Sequence, residues 1–425
     1  MTVLYLVRAG STVLLDIEIE MRSGFWDQAE IAPTDWATQL GYTLDLIEFL
    51  KAHGASPGRW RTLSIWARQP EPLFEVIAFL HRQDAPMLQC LSLKWASTGV
   101  QQFEESRALD GLGISSRSFV LSNSLIPNLR HVELTSVPWP FVLDRPSPLF
   151  TGLRSLSLTA ASRLYSMTKL TALLRGNPRL ESLQLGSGPN DLDNVYVSDG
   201  PLPSVCLPAL QSLSLRSTYH RQWILDVLKA IQTPNLKKFA LATDLYADYS
   251  GSASDEITLL GYLSGGSSNG GGNVNGSSSG EAESLYPSLY ELDVSRVACS
   301  SERETMVTLL ASFPSVNRLS IASHHIDCLY GFPWVLPKLE SLVLNGYPDP
   351  ELGSILRRRA AAGHPVRIVE LRGDHSWDQE SRDAYISALP NHVTAVDRLE
   401  PERPSDDDES MVEDWGDEVD DEDAG

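Results

Sequence analysis

The sequence predicts an α/β solenoid, a curved parallel β-sheet on the concave face with helices on the convex face. Three observations carry that expectation. A short apolar motif recurs along the chain, its last two apolar positions alternate with polar ones, and helical periodicity fills the intervals between copies.

The motif is a leading Pro, an apolar residue two positions on, a second three further, and a third two beyond that. It occurs as Pro86/Leu88/Leu91/Leu93, Pro127/Leu129/Val132/Leu134, Pro178/Leu180/Leu183/Leu185 and Pro208/Leu210/Leu213/Leu215. Pro234, Pro287, Pro314 and Pro337 lead four more, at Leu236, Leu289, Val316 and Leu339. Looser copies without that Pro begin at Leu14, Trp60, Leu153 and Val366, giving twelve. Most steps between copies run from 23 to 30 residues, but three are 46, 41 and 53. The step of 53 holds a Gly/Ser/Asn tract, so a degenerate copy or an insertion is expected there.

Each element follows from local chemistry. The alternating end of each copy reads as a half-buried strand. Between strands, Leu40–Phe49, Leu73–Leu80, Met167–Leu174, Trp223–Ile231 and Met306–Leu310 carry apolar residues at three-to-four spacing. Ser301 and Glu304 read as a capping box, and Asp349-Pro350 as a helix start. The leading Pro ends a helix and releases the chain into the next strand. One such unit cannot bury its apolar face alone, whereas stacked units share a continuous core.

These copies look like leucine-rich repeats, and the chain resembles the fungal family of F-box/leucine-rich-repeat proteins. Val7–Ile19, Arg59–Ile65, and Leu356–Arg359 with Val366–Leu371 carry the closer likeness, which spans about residues 5 to 375. The resemblance implies substrate selection for an F-box-type ubiquitin ligase. The F-box itself has no counterpart in this sequence, so Skp1 becomes a partner only if an F-box exists upstream. The Asn ladder of typical repeats is also missing. Ala96, Val137, Gly188, Thr218, Asp244, Val297, His324 and Tyr347 stand in its place, and those turns must satisfy their backbone otherwise.

Composition narrows the function. The chain has 425 residues, a formal charge of −21 and 42% apolar residues. That acidity argues against nucleic acid, and no run is apolar enough for a membrane helix. Twelve carboxylates and no Lys or Arg fall between Pro404 and Gly425. Residues 1–400 are therefore expected to form one irregular solenoid, with 264–280 a disordered insertion and 401–425 an acidic disordered tail. Cys90, Cys206, Cys299 and Cys328 lie far apart, as buried reduced thiols do, which points to cytoplasm or nucleus.

No catalytic motif, cofactor loop or metal-ligand set stands out. Gly111–Ser116 lacks the third glycine of a dinucleotide loop. His324, His325, Asp327 and Cys328 crowd one short segment, which cannot wrap a tetrahedral metal alone and reads as a strand-end turn facing the concave side. Arg357, Arg358 and Arg359 read as a solvated helix face. The expected function is non-catalytic recognition of a protein or peptide on the concave face. Its candidate contact residues are Trp66, Lys94, Trp95, Glu133, Thr135, Gln184, Arg216, Asp293, Arg296, Asn345, Glu370 and Arg372. A stand-alone scaffold or regulator unconnected with ubiquitin is the alternative.

Overall fold

The computed structural model describes residues 13–21, 45–67, 73, 76, 79–80, 83–95, 126–137, 150–160, 166–187, 196, 203–217, 220–243, 253–265, 285–297, 303–330, 334–346, 350–372 and 379–397. Its strands are β1 (Leu15–Met21), β2 (Trp60–Ala67), β3 (Cys90–Trp95), β4 (His131–Thr135), β5 (Ser155–Ala160), β6 (Ser182–Ser187), β7 (Val205–Cys206) and β8 (Ser212–Arg216). They continue as β9 (Ile231–Gln232), β10 (Lys238–Thr243), β11 (Glu291–Val297), β12 (Arg318–Ala322), β13 (Ser341–Asn345), β14 (Ile368–Arg372) and β15 (Thr394–Asp397). Thirteen of them form one sheet in chain order, and β7 and β9 pair separately. Neighbours throughout are parallel.

Helices cover one face: α1 (45–52), α2 (Met167–Arg175), α3 (Arg221–Ala230), α4 (Ala253–Leu263), α5 (Arg303–Ala311), α6 (Leu352–Ala361) and α7 (Gln379–Ala388). Residues 73, 76, 79 and 80 are also helical. A helix is about 10 Å across and strands stand about 4.8 Å apart, so successive units splay on the helix side and curve the sheet toward its open face. No described helix is long and apolar enough to cross a membrane.

Register makes the core. Ile17, Leu63, Leu91, Val132, Leu156, Leu183, Leu213, Phe239, Leu292, Leu319, Leu342 and Val369 align strand by strand, and all are buried. Burying each such side chain contributes about 1.5–3 kcal/mol, mostly unavailable to an isolated repeat. All twelve sequence copies supply a strand. The thirteenth, β15, escapes the motif because Ala395 and Asp397 pair with Val369 and Leu371 where other strands offer large apolar residues. Across the three long steps β1 pairs β2, β3 pairs β4, and β10 pairs β11 directly, so no strand of the main sheet stands between them. The longest contains α4, and most of the Gly/Ser/Asn tract lies outside the described residues, as do the acidic tail, Cys299 and the glycine loop at 111–116.

Each leading Pro is the second residue of a turn. Leu88 N–H donates to Ala85 O, and the same i to i+3 bond closes before Leu129, Leu180, Leu210, Leu236, Leu289, Val316 and Leu339. Pro suits that position because its φ is preset and its missing N–H is not needed. One residue later comes a rung. The Gln89 carbonyl accepts the N–H groups of both Arg130 and His131, Arg130 O those of Arg154 and Ser155, and so on to Glu340 O with Arg367 and Ile368.

The missing Asn ladder is replaced. At strand ends, Ser136 N–H donates to Thr159 O, Ser217 N–H to Ala242 O and Gly346 N–H to Arg372 O. At the Pro turns, Asn128 Nδ2 donates to Pro86 O at 2.7 Å and Asn235 Nδ2 to Pro208 O at 2.8 Å. The copy at Leu153 has no leading Pro and relies on its successor. Asn177, fully buried, accepts Leu153 N–H at 2.9 Å and donates to Phe150 O at 2.8 Å and Leu173 O at 2.9 Å.

Asn177→Ala strands two buried backbone groups at once, the Leu153 N–H and the Phe150 carbonyl, while Leu173 O keeps the Gly176 N–H. An unpaired buried group costs about 1–3 kcal/mol, so the urea midpoint is expected to fall by an amount equivalent to about 3 kcal/mol. A loss near that of an exposed Asn→Ala control contradicts the assignment.

Candidate recognition surface

The open face is built from the polar alternates of each strand, stacked by register into rows. Trp66, Lys94 and Thr135 are consecutive neighbours in one row. Glu133 and Gln184 belong to the central row, whose partners on β5 and β8 are Ser157 and Ser214. Further along it come Asp293 and Glu370. Arg216 and Arg296 both pair with Ala242, and Asn345 pairs with Arg372, close to the strand ends. A register shift between Ala240 and Ala242 delivers Arg296 to that row. Asp293 stabilises the kink, accepting the Ser295 N–H at 3.0 Å and hydroxyl at 2.7 Å.

Trp95 does not belong there. It is 8% exposed and shares the core side with Leu91 and Leu93. The alternation of β3 already places residues 91, 93 and 95 on one side. Glu370 is on the open face yet only 3% exposed, because arginines cover it.

The face divides into three zones. At the β1 end, Asp16, Glu18 and Glu20 form an exposed acidic column. Arg61 pairs with Asp16, and its hydrogen bond holds that carboxyl below its ordinary range. The middle is uncharged apart from Glu133, Lys94 and Arg216. Lys94 Nζ lies 2.9 Å from Glu133, which also accepts the Ser92 hydroxyl at 2.9 Å. Ser92, His131, Glu133, Ser155, Ser157 and Gln184, with Cys90, line a shallow depression of ≈ 260 Å³.

The third zone is a ladder of alternating charge across β10 to β14. Lys238 meets Glu291 at 2.7 Å, Glu291 meets Arg318 at 3.5 Å, Arg318 meets Glu370 at 3.0 Å and Glu370 meets Arg372 at 2.9 Å. Hydrogen bonding to Glu291 raises the pKa of Lys238. Arg318 is on β12 and Glu370 on β14, so the guanidinium must cross β13, about 10 Å of sheet. Val343 and Ser341 on β13 are 1% and 9% exposed. The arginine arch passes over this apolar side chain. Lys238, Glu291 and Arg318 were not among the sequence candidates; each is the second variable position of a copy, one place before the second apolar residue.

The remaining sequence candidates resolve on the helix side. Ser323–Leu329 form a 3-10 helix packed against α5, with Arg303 Nε 3.5 Å from Asp327 and Cys328 Sγ donating to Arg303 O. This segment continues from the end of β12 onto the helix layer rather than facing the concave side. His324 is exposed and His325 buried, and burial lowers the His325 pKa below 6.5. Burial pushes the Cys328 thiol up to about 12. No three His, Cys, Asp or Glu side chains gather at metal-binding distance among the described residues. Cys328 is buried, but Cys206 is exposed and Cys90 half-buried, so the buried-thiol reading fails for those two.

Arg359 likewise departs from a solvated face. It is fully buried, donates to Val335 O at 2.9 Å and Leu336 O at 2.7 Å, and stacks over Trp334. Burial lowers its pKa to about 10. Spacing from Leu352, Ile355 and Leu356 already put residue 359 on the buried stripe of α6.

A sequence model described as "FBD-associated F-box protein At5g56370, LRR repeats" matches residues 96–321, just over half of the chain. None of the curated proteins matches. Among solved structures, a Bacteroides fragilis protein is similar at 13% identity and a TM-score of 0.37, over 82% of this chain and 76% of that one.

Glu370→Ala leaves Arg318 and Arg372 without their shared carboxylate over β13. Because both arginines are about a third exposed and rehydrate, the expected loss is about 2 kcal/mol rather than the larger cost of a wholly buried pair. Urea denaturation of the variant beside Glu181→Ala, an exposed pair member, checks this; equal effects contradict it.

Proposed function

The chain belongs to the leucine-rich-repeat family of that F-box-associated description, and on that premise we propose that it is a non-catalytic protein-recognition module. One observation carries the reading: thirteen parallel strands present a sheet face whose alternate side chains no described helix covers. A face of this kind offers ordered polar and aromatic side chains on a rigid frame, so little entropy is lost when a partner settles on it. Trp66, Lys94, Glu133, Thr135, Gln184, Arg216, Asp293, Arg296, Asn345 and Arg372 are the proposed contacts, with Trp66 and Arg216 the strongest anchors by residue type. Trp95 lies in the core and makes no such contact, and Glu370 acts by holding its arginines.

The finer role is selection of a substrate protein for an F-box-type ubiquitin ligase. It is supported by the family's F-box association and by the stretches at Arg59–Ile65 and Leu356–Arg359. Recruitment of Skp1 then requires an F-box joined to this chain. A fungal source rests on the same stretches alone. Cytoplasm or nucleus is the proposed location, supported by the scattered thiols.

Quantitative pull-downs with the full chain test the reading. Trp66→Ala with Arg216→Ala is expected to weaken capture of specific partners by about tenfold or more, since a few anchors carry most interface energy. Arg357→Ala with Arg358→Ala, on the helix side, is expected to leave capture unchanged. The opposite pattern moves the site to the helix side. Efficient recovery of Skp1 by these 425 residues alone contradicts the requirement for a joined F-box.

A further inference from the structure

The turns leading into the strands form a continuous rim, because every strand of the main sheet runs the same way and the rung carbonyls tie each turn to the next. Charge on this rim runs against the acidity of the chain. Asp16, Glu181 and Glu291 each already hold an arginine or lysine there. Asp84 and Glu340 are the other described carboxylates of the rim. Against them stand Arg130, Arg179, Lys237, Lys338 and Arg367, spread from the turn before β4 to the turn before β14. Among the described residues, Arg130 bonds only turn carbonyls and Lys237 only the Gln211 amide oxygen. Arg179, Lys338 and Arg367 are exposed. None of the five makes an ion pair with a described residue.

We propose that this basic rim docks the acidic segment Asp406–Asp423 of the same chain. The segment carries twelve carboxylates and no Lys or Arg. Its reach fits. Strand β15 ends at Asp397 on the opposite side of the sheet, about 13 Å from the rim. Residues 398–405 span up to about 28 Å when extended, enough to pass the four-residue strand and arrive near Arg367 and Lys338. From β14 back to β4 the rim runs about 40 Å. Residues 406–423 extend to about 60 Å, so one strand of acid can visit all five cations. Contacts of this type are exposed and solvated, hence weak singly and strong only as a set. They also fade when salt shortens the Debye length.

Fluorine NMR on the full chain grown with 5-fluorotryptophan tests the proposal, with Trp415 inside the segment as reporter and Trp415→Phe to assign its line. At about 0.05 M salt the Trp415 line is expected to be broad, and to sharpen about threefold on raising salt to about 0.5 M. Lys237→Glu combined with Lys338→Glu and Arg367→Glu is expected to give the sharp line at low salt, with unchanged circular dichroism and melting. A line equally sharp at both salts overturns the proposal, as does a broad line that survives in the triple variant. Broadening that grows with protein concentration assigns the contact to neighbouring copies and overturns it too. A sharp line throughout, with a labelled RNA oligonucleotide captured by the wild type and not by the triple variant, gives the rim to nucleic acid instead.

Discussion

No repeat of this chain can finish itself. Its strand shows one flank of Leu-type residues to each neighbour, and its turn carbonyl awaits two N–H groups that only the next repeat supplies. Both needs are met by stacking in parallel and in register, and by nothing local. The arrangement tolerates intervals between strands as different as those before β2, β4 and β11, because each long stretch leaves from and returns to neighbouring slots of one sheet. It also explains why single side chains such as Asn177 matter where the leading Pro is lost: the turn keeps its shape only while the following repeat holds it.

The same constraint produces the surface. Helices fill one face, so the alternate side chains of the other remain for contacts. At the C-terminal end that freedom is partly spent, since Lys238, Glu291, Arg318, Glu370 and Arg372 neutralise one another and brace five strands. The middle strands keep short hydroxyl side chains, with Trp66, Lys94, Glu133 and Arg216 placed around them. A partner reading this face meets an acidic edge, a polar floor and a self-satisfied ladder in turn. Its grip therefore concentrates on the first two.

Much of this was legible in the amino acids. The Pro-led motif located eight strands and its looser copies four more, because the motif encodes a turn and two core positions together, a pairing that chance seldom repeats. Helices α2, α3 and α5 showed through their spacing. Strand β15 did not, since Ala395 and Asp397 carry no apolar signal. Nor did β7 and β9, whose two residues each are too few for a period. Helix α4 escaped because it adjoins the Gly/Ser/Asn tract. At the site, alternation correctly placed Glu133, Gln184 and Arg216, and the same alternation, followed one step further, puts Trp95 in the core. The burial of Glu370 had no sequence signal, because part of its cover comes from Arg318, two strands away.

Parallel, in-register stacking is most directly tested by a cross-link from a native thiol. Cys90 on β3 faces His131 on β4 in register, with strands about 4.8 Å apart, whereas Thr135 stands about 13 Å further along β4. Mild oxidation of His131→Cys, followed by peptide mapping, should find the new thiol joined to Cys90, and the same treatment of Thr135→Cys should not. A bridge from position 135, or none from either, would mean that the strands do not run side by side as this fold requires.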